Sequence, residues 1–266
     1  MKTLTINENT YSIPGTWNEL AIEQLLYLVQ LTNSQISAEE IKLKMLLKTL
    51  KARVHSYIGA DDKILFIIKI DKHKYTITAE ELQPVTDIFD YLFLRKKDTI
   101  NINPLLTKNP VPKIKIKGKE YISAKEGLSD ITYEQFVDLM TYFDAMQSNP
   151  DKINNFIAIL YKTANDKQCT PQIASKLNAY TKTVILWYYI GCLNFIEGKF
   201  PRTFSGKSDS TGNRTIIDNQ MRVIDILAGN DLTKKETVKK SLLYDALYTM
   251  EIAAENAEKL KHRTKR

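Results

Sequence analysis

Three short segments of this 266-residue chain share one pattern, and that pattern limits the fold more than any other feature. Leu4-x-Ile6 is followed, after four residues, by Tyr11-x-Ile13. Ile68-x-Ile70 leads in the same way to Tyr75-x-Ile77, and Ile114-x-Ile116 to Tyr121-x-Ser123. Apolar residues alternate on both arms, so each arm reads as a strand with one buried face. The residues between are turn formers or charged: Asn7-Glu8-Asn9, Asp71-Lys72-His73-Lys74 and Lys117-Gly118-Lys119-Glu120. Each segment therefore predicts a short β-hairpin. The third departs at its last position, where Ser123 replaces Ile and Ile122 lies beside it.

Helical periodicity follows the first and third hairpins. Trp17 to Leu28 and Leu128 to Leu139 align without a gap: Leu20 with Ile131, Glu23-Gln24 with Glu134-Gln135, Leu25 with Phe136, and Leu28 with Leu139. Asn18 and Ser129 stand where helix caps belong, because their side chains accept from first-turn amides. Thr132 followed by Gln135 offers a second cap. Trp17 and Leu128 sit where an apolar residue packs back onto its helix. Further on, Ile41 to Thr49 is similar to Ile153 to Thr163, with two extra residues in the second copy. The expected fold class is α+β and mostly helical, with repeated β-hairpin–helix–helix units and a long C-terminal helix. Duplication is one reading of the likeness; chance similarity of amphipathic helices is the other.

Pro104, Pro110 and Pro112 break any helix in the stretch 101–112, which makes it the linker candidate. The expected organisation is a first unit with the second hairpin over 1–103, a proline-rich linker over 104–112, and a second unit with a helical extension over 113–266. That extension holds an expected helix from Pro171 to Ile196, a polar Gly- and Ser-rich loop over 205–213, and helices near 216–228 and 234–261. Thr233 with Glu236 offers the last helix a capping box. Leu242, Ala246, Tyr248 to Met250, Ala253, Ala257 and Leu260 give it a thin apolar stripe, which packs on its own core or on a neighbouring subunit.

Composition narrows the class. The chain is 43% hydrophobic and 26% charged, so it has the material for a core and disorder is not the default. A formal charge of +7 with a pI near 9.1 permits contact with nucleic acid or an acidic protein surface and compels neither. The basic end, Lys259 to Arg266, reads as a solvated tail or as a phosphate-binding one. Cys169 and Cys192 have no pairing motif, which is reduced-compartment usage. The first residues lack the apolar stretch of a signal peptide. The longest apolar run, Val184 to Leu193, falls short of the ~20 residues of a membrane span.

Motifs for chemistry are sparse. Gly206-Lys207-Ser208 evokes a phosphate-cradling loop, but the glycine required five residues earlier is Pro201. His55, His73 and His262 are scattered, with no partner at metal-ligand spacing. No nucleophile–base–acid set stands out. The expectation is therefore no catalytic, cofactor-binding or metal residue. Nucleic-acid binding rests on Lys113, Lys115 and Lys117, which alternation places on one face of the third hairpin beside Lys119. Arg95-Lys96-Lys97 is expected to close the preceding helix. Ordinary roles also explain these cations: complementing a helix dipole and guarding a strand edge. Aromatic platforms interleaved with the basic row are not evident.

The hairpin leading into Trp17-Asn18-Glu19-Leu20-Ala21-Ile22-Glu23-Gln24-Leu25, with its second version Leu128-Ser129-Asp130-Ile131-Thr132-Tyr133-Glu134-Gln135-Phe136, resembles the opening of bacteriophage tail-assembly chaperones and related virion-assembly proteins. The resemblance covers roughly thirty residues, twice. The longer C-terminal half departs from the small chaperones, which leaves a structural role in the particle open. The resemblance implies a non-enzymatic protein of the infected bacterial cytoplasm that holds or joins virion subunits in the tail or head–tail region. Its expected partners are other virion proteins and further copies of itself, with no membrane and no cofactor. The residues expected to meet a partner are Trp17, Leu128, Lys113, Lys115, Lys117, Arg202, Lys207 and Tyr248. A nucleic-acid-binding accessory protein and an enzyme with a site assembled from distant residues are the competing classes.

Overall fold

Two-residue turns close all three predicted hairpins, and their left-handed backbone falls on Glu8, on Asp71 and on the pair Lys117–Gly118. The computed structural model describes residues 1–6, 8–60, 63–96, 99–204 and 223–264. The chain is α+β and divides into two compact units, Met1–Leu105 and Leu106–Arg266.

In the first unit, β1 (Lys2–Ile6) pairs antiparallel with β2 (Asn9–Ile13), Leu4 opposite Tyr11. A single 3-10 turn over Trp17–Glu19 precedes α1 (Ile22–Thr32) and α2 (Ala38–Thr49). Asn18 is therefore not a helix cap. The turn absorbs it, the backbone is extended again at Leu20 and Ala21, and the Ala21 amide donates to Gln24 Oε1 at 2.8 Å. β3 (Arg53–Ala60), β4 (Lys63–Ile70) and β5 (His73–Thr78) form a three-stranded antiparallel sheet in that order, with Ile68 opposite Tyr75. A bulge between Val54 and Ser56 interrupts the period of two, so β3 carries no alternation that sequence reading detects.

Thr78 and Glu81 form a capping box for α3 (Ala79–Thr86). A 3-10 segment over Asp87–Leu92 leads into the two-stranded pair β6 (Phe93–Lys96) and β7 (Thr99–Ile102). Arg95 and Lys96 thus lie in a strand and do not end a helix; Lys97 lies outside the described residues. Trp17, Leu25, Leu28, Val29, Met45 and Phe89 fill the core.

The second unit opens on the proline-rich stretch, which is packed. Leu106 is buried. Thr107 O accepts from Gly127 N at 2.8 Å and Val111 O accepts from Tyr161 Oη at 2.6 Å. β8 (Lys113–Ile116) and β9 (Lys119–Ser123) pair with Ile114 opposite Tyr121. A 3-10 turn over Glu126–Leu128 follows, and Ser129 ends this turn without capping a helix. The cap of α4 (Tyr133–Ala145) is Thr132, in a reciprocal box with Gln135. α5 (Ile153–Leu160) stops three residues short of Thr163, because the chain turns extended as β10 (Tyr161–Lys162) and pairs with β9.

The expected helix from Pro171 is two helices, α6 (Pro171–Ala174) and α7 (Ala179–Lys199). Asn178 restarts it by accepting from Thr181 N at 2.8 Å. After α8 (Pro201–Phe204), the predicted polar loop and the start of the predicted 216–228 helix lie outside the described residues; 223–227 are helical. The last predicted helix is also split, into α9 (Lys235–Lys240) and α10 (Leu243–Thr264). Ser241 O accepts from Tyr133 N at 2.9 Å and Leu243 N donates to Ile131 O at 3.0 Å, so the segment before α4 claims the backbone at the break. Thr233 is not a helix cap either; its amide donates to Asp231 Oδ1 at 2.9 Å. The buried stripe of α10 is Leu243, Ala246 and Leu247, which shares Ala246 with the predicted one, and Leu242, Tyr248 and Leu260 are exposed.

Hairpin, 3-10 turn, two helices and a strand follow in order over Lys2–Ala60 and Lys113–Lys162, with a further 3-10 turn over Pro150–Lys152 between the two helices of the second. The pairings differ: β10 joins β9, whereas β3 joins β4.

Gly127 sits at a tight backbone position of the second unit. Its φ is 62°, a Cβ there would lie 3.0 Å from Tyr244 Oη, and its carbonyl accepts from that hydroxyl at 2.8 Å. Gly127→Ala is expected to lower unfolding stability in urea by about 1–2 kcal/mol. Gly59→Ala, where an added Cβ meets nothing within 4 Å, is expected not to destabilise.

Candidate functional site

The residues that the sequence offers as partner contacts have different fates. Trp17 and Leu128 are core side chains, 2% and 0% exposed. The 3-10 turn folds each of them under its unit, and the Trp17 indole N–H donates to Tyr91 O at 3.1 Å. Leu128 is held with φ at 60°, a left-handed conformation that only surrounding packing sustains. Neither presents a surface to a partner. Arg202 straps α8 to α10, with Nη1 at 3.4 Å from Glu251 and Nε at 3.1 Å from Glu258. Lys113 bridges its own hairpin to Glu120 at 3.0 Å. Lys115 and Lys117 are exposed, but Lys117 belongs to the turn, with φ at 50°, so only Lys113 and Lys115 share the outer face of β8. Lys207 lies outside the described residues. Tyr248 is exposed on α10.

Sequence reasoning missed the charged centre of the first unit. Lys42 projects from the inner side of α2, one turn before Leu46, and is buried. Its Nζ lies 2.6 Å from Glu39 Oε2, 2.9 Å from Asp87 Oδ1 and 2.9 Å from Asp90 Oδ1. Gln83 Nε2 donates to Glu39 Oε2 at 3.2 Å and to Asp87 Oδ1 at 3.3 Å, and Arg95 stands 3.6 Å from Glu39. Burying an ammonium costs several kcal/mol unless each proton finds an acceptor. Here three acceptors meet three donors, and all three carboxylates keep one side in water. Burial alone lowers the Lys42 pKa; hydrogen bonds to Glu39, Asp90 and Asp87 outweigh it and raise it above the ordinary lysine value. The Lys42 ammonium in turn holds Glu39 and Asp87 below the usual carboxylate range. The group is locked in its charged form, which suits a clamp between α2 and the Asp87–Leu92 segment and not a nucleophile. A lysine among Ile41, Met45 and Leu46 was the available signal.

The two cysteines are quenched by burial. Burial pushes the Cys192 thiol up to about 12 and also raises Cys169, so neither is a thiolate at neutral pH. Among the described residues no group of His, Cys, Asp and Glu is placed to hold a metal ion. Among them, too, no helix is long and apolar enough to cross a membrane. A cleft of about 260 Å³ opens in the first unit among β1, β4, β5, α2 and α3, with Leu46, Leu50, Ile68, Ile70, Tyr75 and Leu82 in its walls. The carboxylate in its described lining is Glu81, which is engaged in capping α3 and accepts from Thr78 N at 2.9 Å. That arrangement can hold an apolar group but offers no paired acid and base.

Large apolar side chains also stand in water on regular elements: Val54, Tyr57 and Ile58 on β3, and Tyr248, Ile252 and Leu260 on α10. Comparison with protein-family models, with characterised proteins and with solved structures finds no match to the chain.

The clamp predicts a pH profile. Carboxylates whose folded pKa is depressed stabilise above their unfolded values, roughly 4, and lose that contribution as pH falls further. Lys42, with a raised pKa, stabilises below its unfolded value of about 10.4 and loses that contribution as pH rises through its folded value. Stability from the clamp is thus full between roughly pH 5 and 9. Lys42→Ala is expected to cost about 2–3 kcal/mol at pH 7, below the figure for wholly buried pairs because the acids are half in water. It is also expected to flatten the loss of stability between pH 5 and 3 in urea melts. An unchanged acid limb would show that the clamp does not act as described.

Proposed function

We propose that this chain is a non-enzymatic assembly protein that works through protein–protein contacts, in or on the way to a bacteriophage particle. The observation that carries the reading is apolar surface held in water on regular elements. Tyr57 is 76% exposed on β3, and Tyr248 is 63% exposed on α10. Removing such surface from water yields about 25 cal/mol per Å² and drives association. Aromatic side chains are also the type enriched where proteins meet. The virion setting, in the tail or head–tail region and in the host cytoplasm during assembly, rests on the likeness of Trp17–Leu25 and Leu128–Phe136 to tail-assembly chaperones. We also read the chain as a duplicated hairpin–helix–helix unit. The matching order of elements supports this, and so does the shared register that sets Leu4 opposite Tyr11 and Ile114 opposite Tyr121.

A second reading, a nucleic-acid-binding accessory protein, is favoured by the exposed Lys115, Lys117 and Lys119 on the β8–β9 hairpin. It requires an affinity for DNA that falls steeply with salt.

Size exclusion with light scattering, on the chain alone and mixed with particle proteins, tests the first reading. A complex or a defined oligomer is expected, and Tyr57→Ser with Tyr248→Ser is expected to weaken it about tenfold or more. A persistent monomer that joins no particle protein overturns the reading. Absence of DNA binding at low salt removes the second.

A further inference from the structure

Among the described residues, three cations on the outer face of the β3–β4–β5 sheet stand without a carboxylate partner. Register sets Arg53 directly opposite Lys69, and Lys69 directly opposite Lys74. Three cations therefore stand in one row across all three strands, on the same face. Like charges directly opposite one another destabilise a strand pair. All three side chains are exposed in the full chain, and among the described residues none forms a salt bridge. His55, in the bulge of β3, brings its Nε2 to 3.5 Å from Lys74 Nζ. Three other cations of the same unit are matched: Lys42 with three acids, Lys44 with Glu40 at 2.9 Å, and Arg95 with Glu39.

The same face continues into an apolar patch. Ile58 lies opposite Leu65, Ile67 lies two residues along β4, and beyond it comes Lys69. Ile58 is 49% exposed, and Leu65 and Ile67 are partly exposed. The opposite face, with Ile68, Ile70 and Tyr75, is the one the core covers. An uncovered sheet face with a cationic row at one end and an apolar row at the other is complementary to one kind of surface.

We propose that this face docks an acidic amphipathic helix of a partner protein, its apolar stripe on Ile58, Leu65 and Ile67 and its carboxylates on Arg53, Lys69 and Lys74. Three strands span about 10 Å between the outer two, which matches the ~10 Å diameter of one helix. A nucleic-acid backbone would answer the cations alone. It would leave the apolar row uncovered, and among the described residues of the three strands this face carries no Phe, Tyr or Trp for base stacking, only the His55 imidazole beside the cations. The inference rests on the reading that the chain joins proteins, and it names the chemistry of one partner.

The full chain is titrated with a labelled synthetic helical peptide that has Leu along one face and Glu on both flanks. The controls are the same peptide with Gln for Glu, and single- and double-stranded oligonucleotides. The Glu peptide is expected to bind, and its Gln version to bind about tenfold more weakly. The triple variant Arg53→Gln, Lys69→Gln, Lys74→Gln is expected to lose about tenfold or more, and Ile58→Ser about fivefold. The triple variant is expected to melt no lower than the parent, since neutralising the row removes repulsion; lost binding is then not lost fold. No binding of the Glu peptide, equal binding of the Gln peptide, or insensitivity to Ile58→Ser overturns the proposal. So does an oligonucleotide that binds more tightly and is lost in the same triple variant. If the peptide fails while the chain still joins particle proteins, this surface is wrong and the assembly reading stands. If the chain joins no particle protein, the assembly reading fails on its own.

Discussion

Two-residue hairpin turns set the register from which both units are built. With only two residues at the bend, Leu4, Ile68 and Ile114 must fall opposite Tyr11, Tyr75 and Tyr121. A slip of one residue would turn every apolar side chain of a strand to water, because the side-chain period is two. Tyr75 and Tyr121 are buried as a result. Tyr11 hydrogen-bonds Tyr75 through their hydroxyls at 3.0 Å, and that bond, with burial, pushes the Tyr11 hydroxyl up to about 12. Once the inner faces are fixed, the helices that follow have one apolar surface to cover. The outer faces of β4 and β5 are fixed by the same step; on β3 the bulge between Val54 and Ser56 shifts the register by one residue, and that shift brings Arg53 into the row opposite Lys69.

What was legible in the sequence was local. The hairpins showed because alternation and turn residues coincide within about ten residues. Thr132 with Gln135 showed because a capping box needs four residues. What failed to show depended on partners far along the chain. The break at Ser241–Leu242 is invisible in a run of good helix formers, since its cause is the backbone of Ile131 and Tyr133. β3 was hidden by its bulge, which removes the period that identifies a strand. Trp17 and Leu128 read as contact residues because they are large and precede a helix. The 3-10 turns that fold them inward are set by extended backbone at Leu20 and a left-handed Gly127–Leu128 pair. Neither Tyr248 nor Arg202 could be assigned from spacing alone. α10 begins at Leu243 and presents Tyr248 to water, while two of its glutamates hold Arg202.

Unit 1 treats its cations in two opposite ways, and the contrast bears on function. Lys42 is buried and holds three carboxylates around its ammonium. Arg53, Lys69 and Lys74 face one another across the sheet without such partners among the described residues. If stability alone had shaped this sheet, a threonine or glutamate at the middle position would serve better than Lys69, since cross-strand opposite charges stabilise and like charges do not. Edge protection explains a single lysine on an outer strand. It does not explain Lys69, because β4 is the central strand and has no edge to protect. The repulsion at that position is a standing cost to the free protein of a few tenths of a kcal/mol to about 1 kcal/mol per pair. An anionic surface laid across the row removes it, so part of the binding free energy is already stored in the fold. The adjacent Ile58, Leu65 and Ile67 then set which anionic surface fits, because desolvating them favours only a partner that carries apolar side chains at the matching distance.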